Sequence, residues 1–177
     1  MHNEILKFWF EETEPKMWWG ADQQFDDRIK NRFHDIHQQA SRGELFAWRN
    51  ESKGRLAEII VLDQFSRNIY RGTPRAFAQD AVALVLAQEA VASGAENLSA
   101  IERSFLYLPF MHSESRQIHQ VAESLYRANG LPKNYEFELK HKAIVDRFGR
   151  YPHRNEILGR VSSAEEIEFL KQPGSSF

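Results

Sequence analysis

Hydrophobic and polar positions along this chain are organised around one stretch, Gly54–Gly72, read as GRLAEIIVLDQFSRNIYRG. Leu56, Ile59, Ile60, Val61 and Leu62 leave almost no polar side to its first half, and a helix apolar all round is a buried one. Continued by steps of three and four, the stripe through Leu56 and Ile60 reaches Asp63, Arg67 and Arg71. Gln64 and Asn68 lie on its flank, and Phe65 and Ile69 keep the opposite side apolar. Charge therefore enters in register with a buried stripe.

The same 3.6-residue period predicts helices on both sides. Asn3 is placed to cap a short helix carrying Ile5, Leu6, Phe8 and Trp9. Asp22 is placed to cap one with Phe25, Ile29, Phe33 and Ile36 on one face, ending near Gly43. Ser52 is the expected cap of the central helix. Thr73 and Pro74 open an alanine-rich helix running to Ser93, with Phe77, Leu84 and Val91 giving it bulk. Ser99 and Glu102 form a capping box for a helix disturbed at Pro109. Ser113 or Ser115 starts a helix with Ile118, Val121, Ala122 and Leu125 inward, which stops at Asn129-Gly130-Leu131-Pro132. Tyr135–Phe148 follows, and Ser162 with Glu165 is expected to cap the last helix.

Strand signals are nearly absent and the loops are short, so the fold class is all-α, a stack of antiparallel helical hairpins. Breakers near residues 72, 94, 112, 130 and 149 suit stacked pairs, but no fixed-period repeat is present. At 177 residues the chain reads as one domain, residues 1–177, large enough to bury about 70% of its unfolded surface.

Composition narrows the chemistry. A formal net charge of −2 argues against a dedicated nucleic-acid binder, and the lack of cysteine excludes disulfides, thiolate nucleophiles and Cys-ligated zinc. No apolar run is long enough to span a bilayer and MHNEILKFWFEE does not read as a signal peptide, so the expected compartment is the cytoplasm, with no membrane partner. His34 and His37 have metal-ligand spacing but no clear third ligand, so no metal and no cofactor is expected. Trp9, Trp18 and Trp19 read as a core plug rather than an exposed platform. P-loop, G-x-G-x-x-G, G-x-S-x-G and H-E-x-x-H motifs are absent.

For Asp63 and Arg67 two readings stand: an i,i+4 pair where the helix emerges into water, or a recessed site in which a carboxylate orients guanidinium groups toward an anion. Three further segments are candidates for the same site. Arg103 follows the capping Glu102. Met111-His112-Ser113-Glu114 places a histidine beside a carboxylate, which suits general acid–base chemistry, although a helix cap is favoured on local grounds. Phe148–Asn155 combines a helix end at Gly149 with a new start at Pro152, beside Arg150, His153 and Arg154. The competing reading is a tight corner whose arginines bond helix-end carbonyls. From Lys140 to Arg160, six Lys or Arg against Asp146 and Glu156 leave a local charge of +4.

At DQFSRN, ERSFLYLPFMHSE and FGRYPHRN the chain resembles the bacterial domain-of-unknown-function family 924. The resemblance runs from FWF near the amino terminus through SSAEEIEFL to PGSSF. It implies a tetratricopeptide-like stack of antiparallel helices and no established activity. The family's polar motifs fall on Asp63, Gln64, Arg67, Asn68 and Arg71, on Arg103, His112 and Glu114, and on His141, Arg150, His153 and Arg154.

The leading functional reading is a binding module whose Arg/Asp/His cleft takes a small anionic ligand or an acidic peptide end. The alternative is an enzyme in which Asp63 orients Arg67 while His112 or His153 moves a proton and Glu114 tunes it. Nucleic-acid binding through Lys140–Arg160 ranks last.

Overall fold

A computed structural model describes residues 1–95 and 97–176, so Phe177, at the end of the PGSSF resemblance, lies outside the described residues. The fold is all-helical, and a stack of helical hairpins is compatible with how the helices meet. Among the described residues no helix is long and apolar enough to cross a membrane.

The chain begins with α1 (His2–Lys7), continued by a π-helical turn, Phe8–Glu12. Met1, not Asn3, occupies the N-cap position. In α2 (Gln23–Ser41), Asp22 accepts from the Phe25 amide as its cap, and Phe25, Ile29, Phe33, His37 and Ala40 are buried along one face.

The central run is α3 (Ser52–Ile60), a π turn (Val61–Phe65) and α4 (Ser66–Ile69), joined without a break. Its N-cap is Glu51, so Ser52 is already helical. Leu56, Ile59, Ile60, Val61, Leu62 and Phe65 are completely buried. Each such side chain contributes roughly 1.5–3 kcal/mol by leaving water. Gly54 is required here: a Cβ on it would lie 2.0 Å from the Trp48 carbonyl oxygen. Around this axis, Phe8, Trp9, Phe25, Phe33 and Phe65 form an aromatic cluster with ring centroids 4.9–6.1 Å apart. Trp9 is thus core and Trp18 is half-buried, but Trp19 is exposed, so the core expectation fails at the third tryptophan.

The alanine-rich helix begins later than its pattern predicts. Pro74–Phe77 forms a single 3-10 turn, and α5 (Asp80–Ala92) starts only after a break. Its buried stripe is Ala83, Ala87 and Ala90, small enough to bring α5 close against α3. Ser99 and Glu102 form the expected capping box of α6 (Ala100–Leu106), and Pro109 falls in the first turn of the short α7 (Leu108–Met111). Ser115 caps α8 (Arg116–Asn129), which pairs with α9 (Pro132–Phe148) as a hairpin; Val121 faces solvent.

The last helix, α10 (Ala164–Leu170), is capped one residue later than expected. Ser163 and Glu166 make the capping box, not Ser162 and Glu165. Both pairs have the right spacing, but Glu166 is also held by Arg150, whereas Glu165 is exposed and meets Arg147. A tertiary partner selected the register.

Candidate functional site

The π turn sets the site. A π turn inserts one residue into a helix and loosens its hydrogen-bond ladder, and such turns recur at functional positions. Here side chains reinforce it. Ser66 Oγ donates to the Leu62 carbonyl at 2.6 Å, and Arg67 Nη1 donates to the Asp63 carbonyl at 2.8 Å. Asp63 lies within this turn and is fully buried.

Asp63 holds three groups. Its Oδ1 is 2.8 Å from His112 Nδ1 and 3.2 Å from Arg67 Nη1, and its Oδ2 accepts from Gln64 Nε2 at 2.6 Å. Burial alone would push its pKa up. Arg67 and His112 outweigh that and hold the carboxyl well below the usual carboxylate range. An ionised carboxylate has no proton to donate, so the hydrogen on this bond belongs to His112 Nδ1. The neutral ring then carries a lone pair on Nε2, which receives no hydrogen bond from the described residues. Burial, with Arg67 nearby, lowers the His112 pKa against the pull of Asp63, so the ring is neutral at pH 7.

Arg67 then turns to Asp80, donating Nη1 to Oδ1 at 3.0 Å and Nη2 to Oδ2 at 3.1 Å. Arg154 reaches the same carboxylate with Nη1, 3.3 Å from Oδ2. Its guanidinium carbon sits 4.7 Å from the centre of the Phe77 ring and 4.6 Å from that of Tyr151. A second network flanks the first. Glu114 accepts from both terminal nitrogens of Arg160 at 2.6 and 2.9 Å, and from the Tyr151 amide at 2.7 Å. Behind it, fully buried His119 and Glu138 meet at 2.7 Å, and His119 Nε2 is 3.1 Å from the Tyr151 hydroxyl.

His112, Ser113, Glu114, Asp80 and Arg154 line a cleft of about 410 Å³ together with apolar residues, among them Phe77, Leu84 and Leu158. An apolar hollow with a few converging polar groups of perturbed pKa is the usual form of a small-molecule site. A larger depression of about 560 Å³ on α2, between Asp27 and Arg32, is a shallow surface feature remote from these groups.

The sequence candidates divide accordingly. Asp63, Gln64, Arg67, His112, Glu114 and Arg154 come together. His153 is half-buried with its ring 5.6 Å from that of Tyr151, and burial lowers its pKa to about 4. His141 is buried beside Tyr151, its Nδ1 bonded to the Phe137 carbonyl. Asn68 and Arg71 turn the other way, both onto Asp26. Arg103 joins Asn129 to the Leu98 carbonyl, and Arg150 joins Glu166 to that of Val161. Both carbonyls belong to the loop before a helix, so neither arginine bonds a helix-end carbonyl or enters the site.

One expected pairing changes and one holds. Glu114 attends Arg160 while Asp63, not Glu114, attends His112, and Asp63 meets Arg67 as expected, with Asp80 as a second partner of that arginine. Asp80 was missed because a helix read from Pro74 to Ser93 puts it in the second turn, where nothing local marks it. Arg160 entered the reading only as local charge. Tyr151, His119 and Glu138 carried no local signal. Among the described residues, no grouping of three His, Asp or Glu side chains has metal-binding geometry.

No curated protein matches the sequence. The solved structure of ATU0120 from Agrobacterium tumefaciens, a protein of unknown function, is 38% identical, covers 96% of each chain and superposes with a TM-score of 0.91. A family of bacterial proteins of unknown function, DUF924, matches residues 5–174, and this chain belongs to that family.

Proposed function

We propose that the cleft is an acid–base active site in which His112 is the general base. The observation that carries this reading is the hydrogen bond between His112 Nδ1 and the fully buried, ionised Asp63. Asp63 fixes the tautomer that leaves Nε2 able to accept, and it stabilises the imidazolium as that forms. A hydroxyl or water in the cleft loses its proton to Nε2, and the same proton is returned to the leaving group later in the cycle.

Charge balance favours this over a cleft built only to capture polyanions. Asp63, Asp80 and Glu114 match Arg67, Arg154 and Arg160 one for one, so the guanidinium groups are largely neutralised before any ligand arrives. Binding of an anionic small molecule then serves to position a substrate.

The test has two arms. Wild type, His112→Gln and Asp63→Asn are screened against soluble esters, amides and phosphoesters, and turnover in the wild type is expected to fall at least about 100-fold in both variants. Nitrogen-resolved NMR of the imidazole ring is expected to find the proton on Nδ1 at pH 7. A proton on Nε2 instead, or undiminished turnover by His112→Gln, removes His112 as the base. Ligand binding without turnover in any of the three proteins would leave a binding module.

A further inference from the structure

The guanidinium groups around the cleft are unequally satisfied. Arg160 donates from Nε to Asn155, from both terminal nitrogens to Glu114, and again to the Tyr151 carbonyl. Arg67 is shared between the Asp63 carbonyl and carboxylate and both oxygens of Asp80. Arg154 makes one hydrogen bond, at 3.3 Å, although it is only 6% exposed, and its buried Nε has no hydrogen-bond partner among the described residues. A guanidinium carries five N–H donors in one plane. The rings of Phe77 and Tyr151 lie against Arg154 and contribute no acceptor in that plane.

A buried cation with most of its donors unused is a site that wants oxygen acceptors, and it lines the same cleft as His112. Two further features restrict what supplies them. Asp80 and Glu114 line the same cleft and repel a second negative charge. Phe77, Leu84 and Leu158 give the same cleft apolar lining.

We infer that the cleft takes an apolar monocarboxylate, its carboxylate held by Arg154 and its hydrocarbon or aromatic body lying along the Phe77–Leu84–Leu158 wall. This rests on the cleft being the site proposed above, and adds the substrate class. The carboxylate completes the hydrogen bonds that Asp80 leaves over, and planar guanidinium matches planar carboxylate. A dianionic phosphate is disfavoured because Asp80 and Glu114 stay in place as it approaches. A neutral amide offers one acceptor oxygen and no charge.

Isothermal titration calorimetry at pH 7.5 with phenylacetate, phenylacetamide and phenyl phosphate tests this on the unmodified full chain. Phenylacetate is expected to bind at least 10-fold more tightly than either analogue. Arg154→Met is expected to lose phenylacetate affinity at least 10-fold, and Arg154→Lys to lose less. Where Arg154→Met does not fold, the wild-type comparison of the three ligands decides alone. Equal affinity for the amide, tighter binding of the phosphate, or no detectable phenylacetate binding overturns the inference. His112→Gln separates it from the function proposed above. Phenylacetate bound normally by that variant keeps the anchor whatever becomes of the base, and loss of discrimination in the wild type removes the anchor while leaving His112 untouched.

Discussion

Asp63 is bonded to Gln64, Arg67 and His112 at once, and its own carboxylate is fully buried. Removing one member of such a group leaves the others buried and uncompensated, which is where large losses arise. Asp63→Asn keeps the shape but removes the charge. Arg67 retains Asp80, so the loss of stability is expected to be about 3 kcal/mol, near the lower end for a broken buried pair. That corresponds to a melting temperature lower by roughly 6–12 °C for a chain of this size. Differential scanning calorimetry measures it, and an unchanged transition would show that Asp63 is not holding the cluster together. Arg71→Ala acts elsewhere. It removes one partner of Asp26 on the far side of the central run, and it is expected to lower stability while leaving ligand binding in the cleft unchanged, as paired melts and titrations check.

Helix starts and close helix contacts decide where those residues stand. Gly54 touches the Trp48 carbonyl so closely that a methyl group at this position forces backbone apart. Gly54→Ala is therefore expected to destabilise by roughly 1–3 kcal/mol, despite alanine's better helix propensity. Chemical denaturation reads that sign directly, and a stabilised variant would contradict the geometry. Ser115, which caps α8 just after Glu114, is a milder case. Ser115→Ala is expected to cost about 1 kcal/mol. Caps and apolar stripes were legible in the sequence because both are local: Asp22, Ser99 and Ser115 act on amides three residues away. The cap at Ser163 was misplaced by one residue because two serines fit the pattern equally and only Arg150, from another helix, distinguishes their glutamates.

The whole molecule is sensitive to acid through its histidines. Burial lowers the pKa of His37 to about 4, of His141 to about 3 and of His153 to about 4, against an ordinary value of 6.5. Above 6.5 these rings are neutral in both folded and unfolded chains, so their contribution is fully present. As pH falls below 6.5 the unfolded chain takes up protons that the folded chain refuses, and stability is lost progressively until the folded values near 4 and 3 are reached. Each ring accounts for at most roughly 3–5 kcal/mol. Urea denaturation is thus expected to give a clearly lower midpoint at pH 5 than at pH 7.5. Glu114, whose pKa Arg160 holds low against burial, extends the loss below the ordinary carboxylate range. A midpoint flat between pH 7.5 and 5 would mean those rings are solvated.

The sequence by itself determined that this chain is helical, that Leu56–Leu62 is buried, and that Asp63 and Arg67 continue the buried stripe. Those features depend on a period of 3.6 residues and on caps within one turn, so a short window of residues contains them. Only the tertiary structure decided which carboxylate meets which cation. Asp63 meets His112 from 49 residues away, Arg67 meets Asp80 from 13, and Glu114 meets Arg160 from 46. Partners at such separations are chosen by helix contacts and by the need to neutralise each buried charge. The same need turned Arg71 to Asp26 and Arg150 to Glu166, and left Arg154 with donors to spare at the cleft.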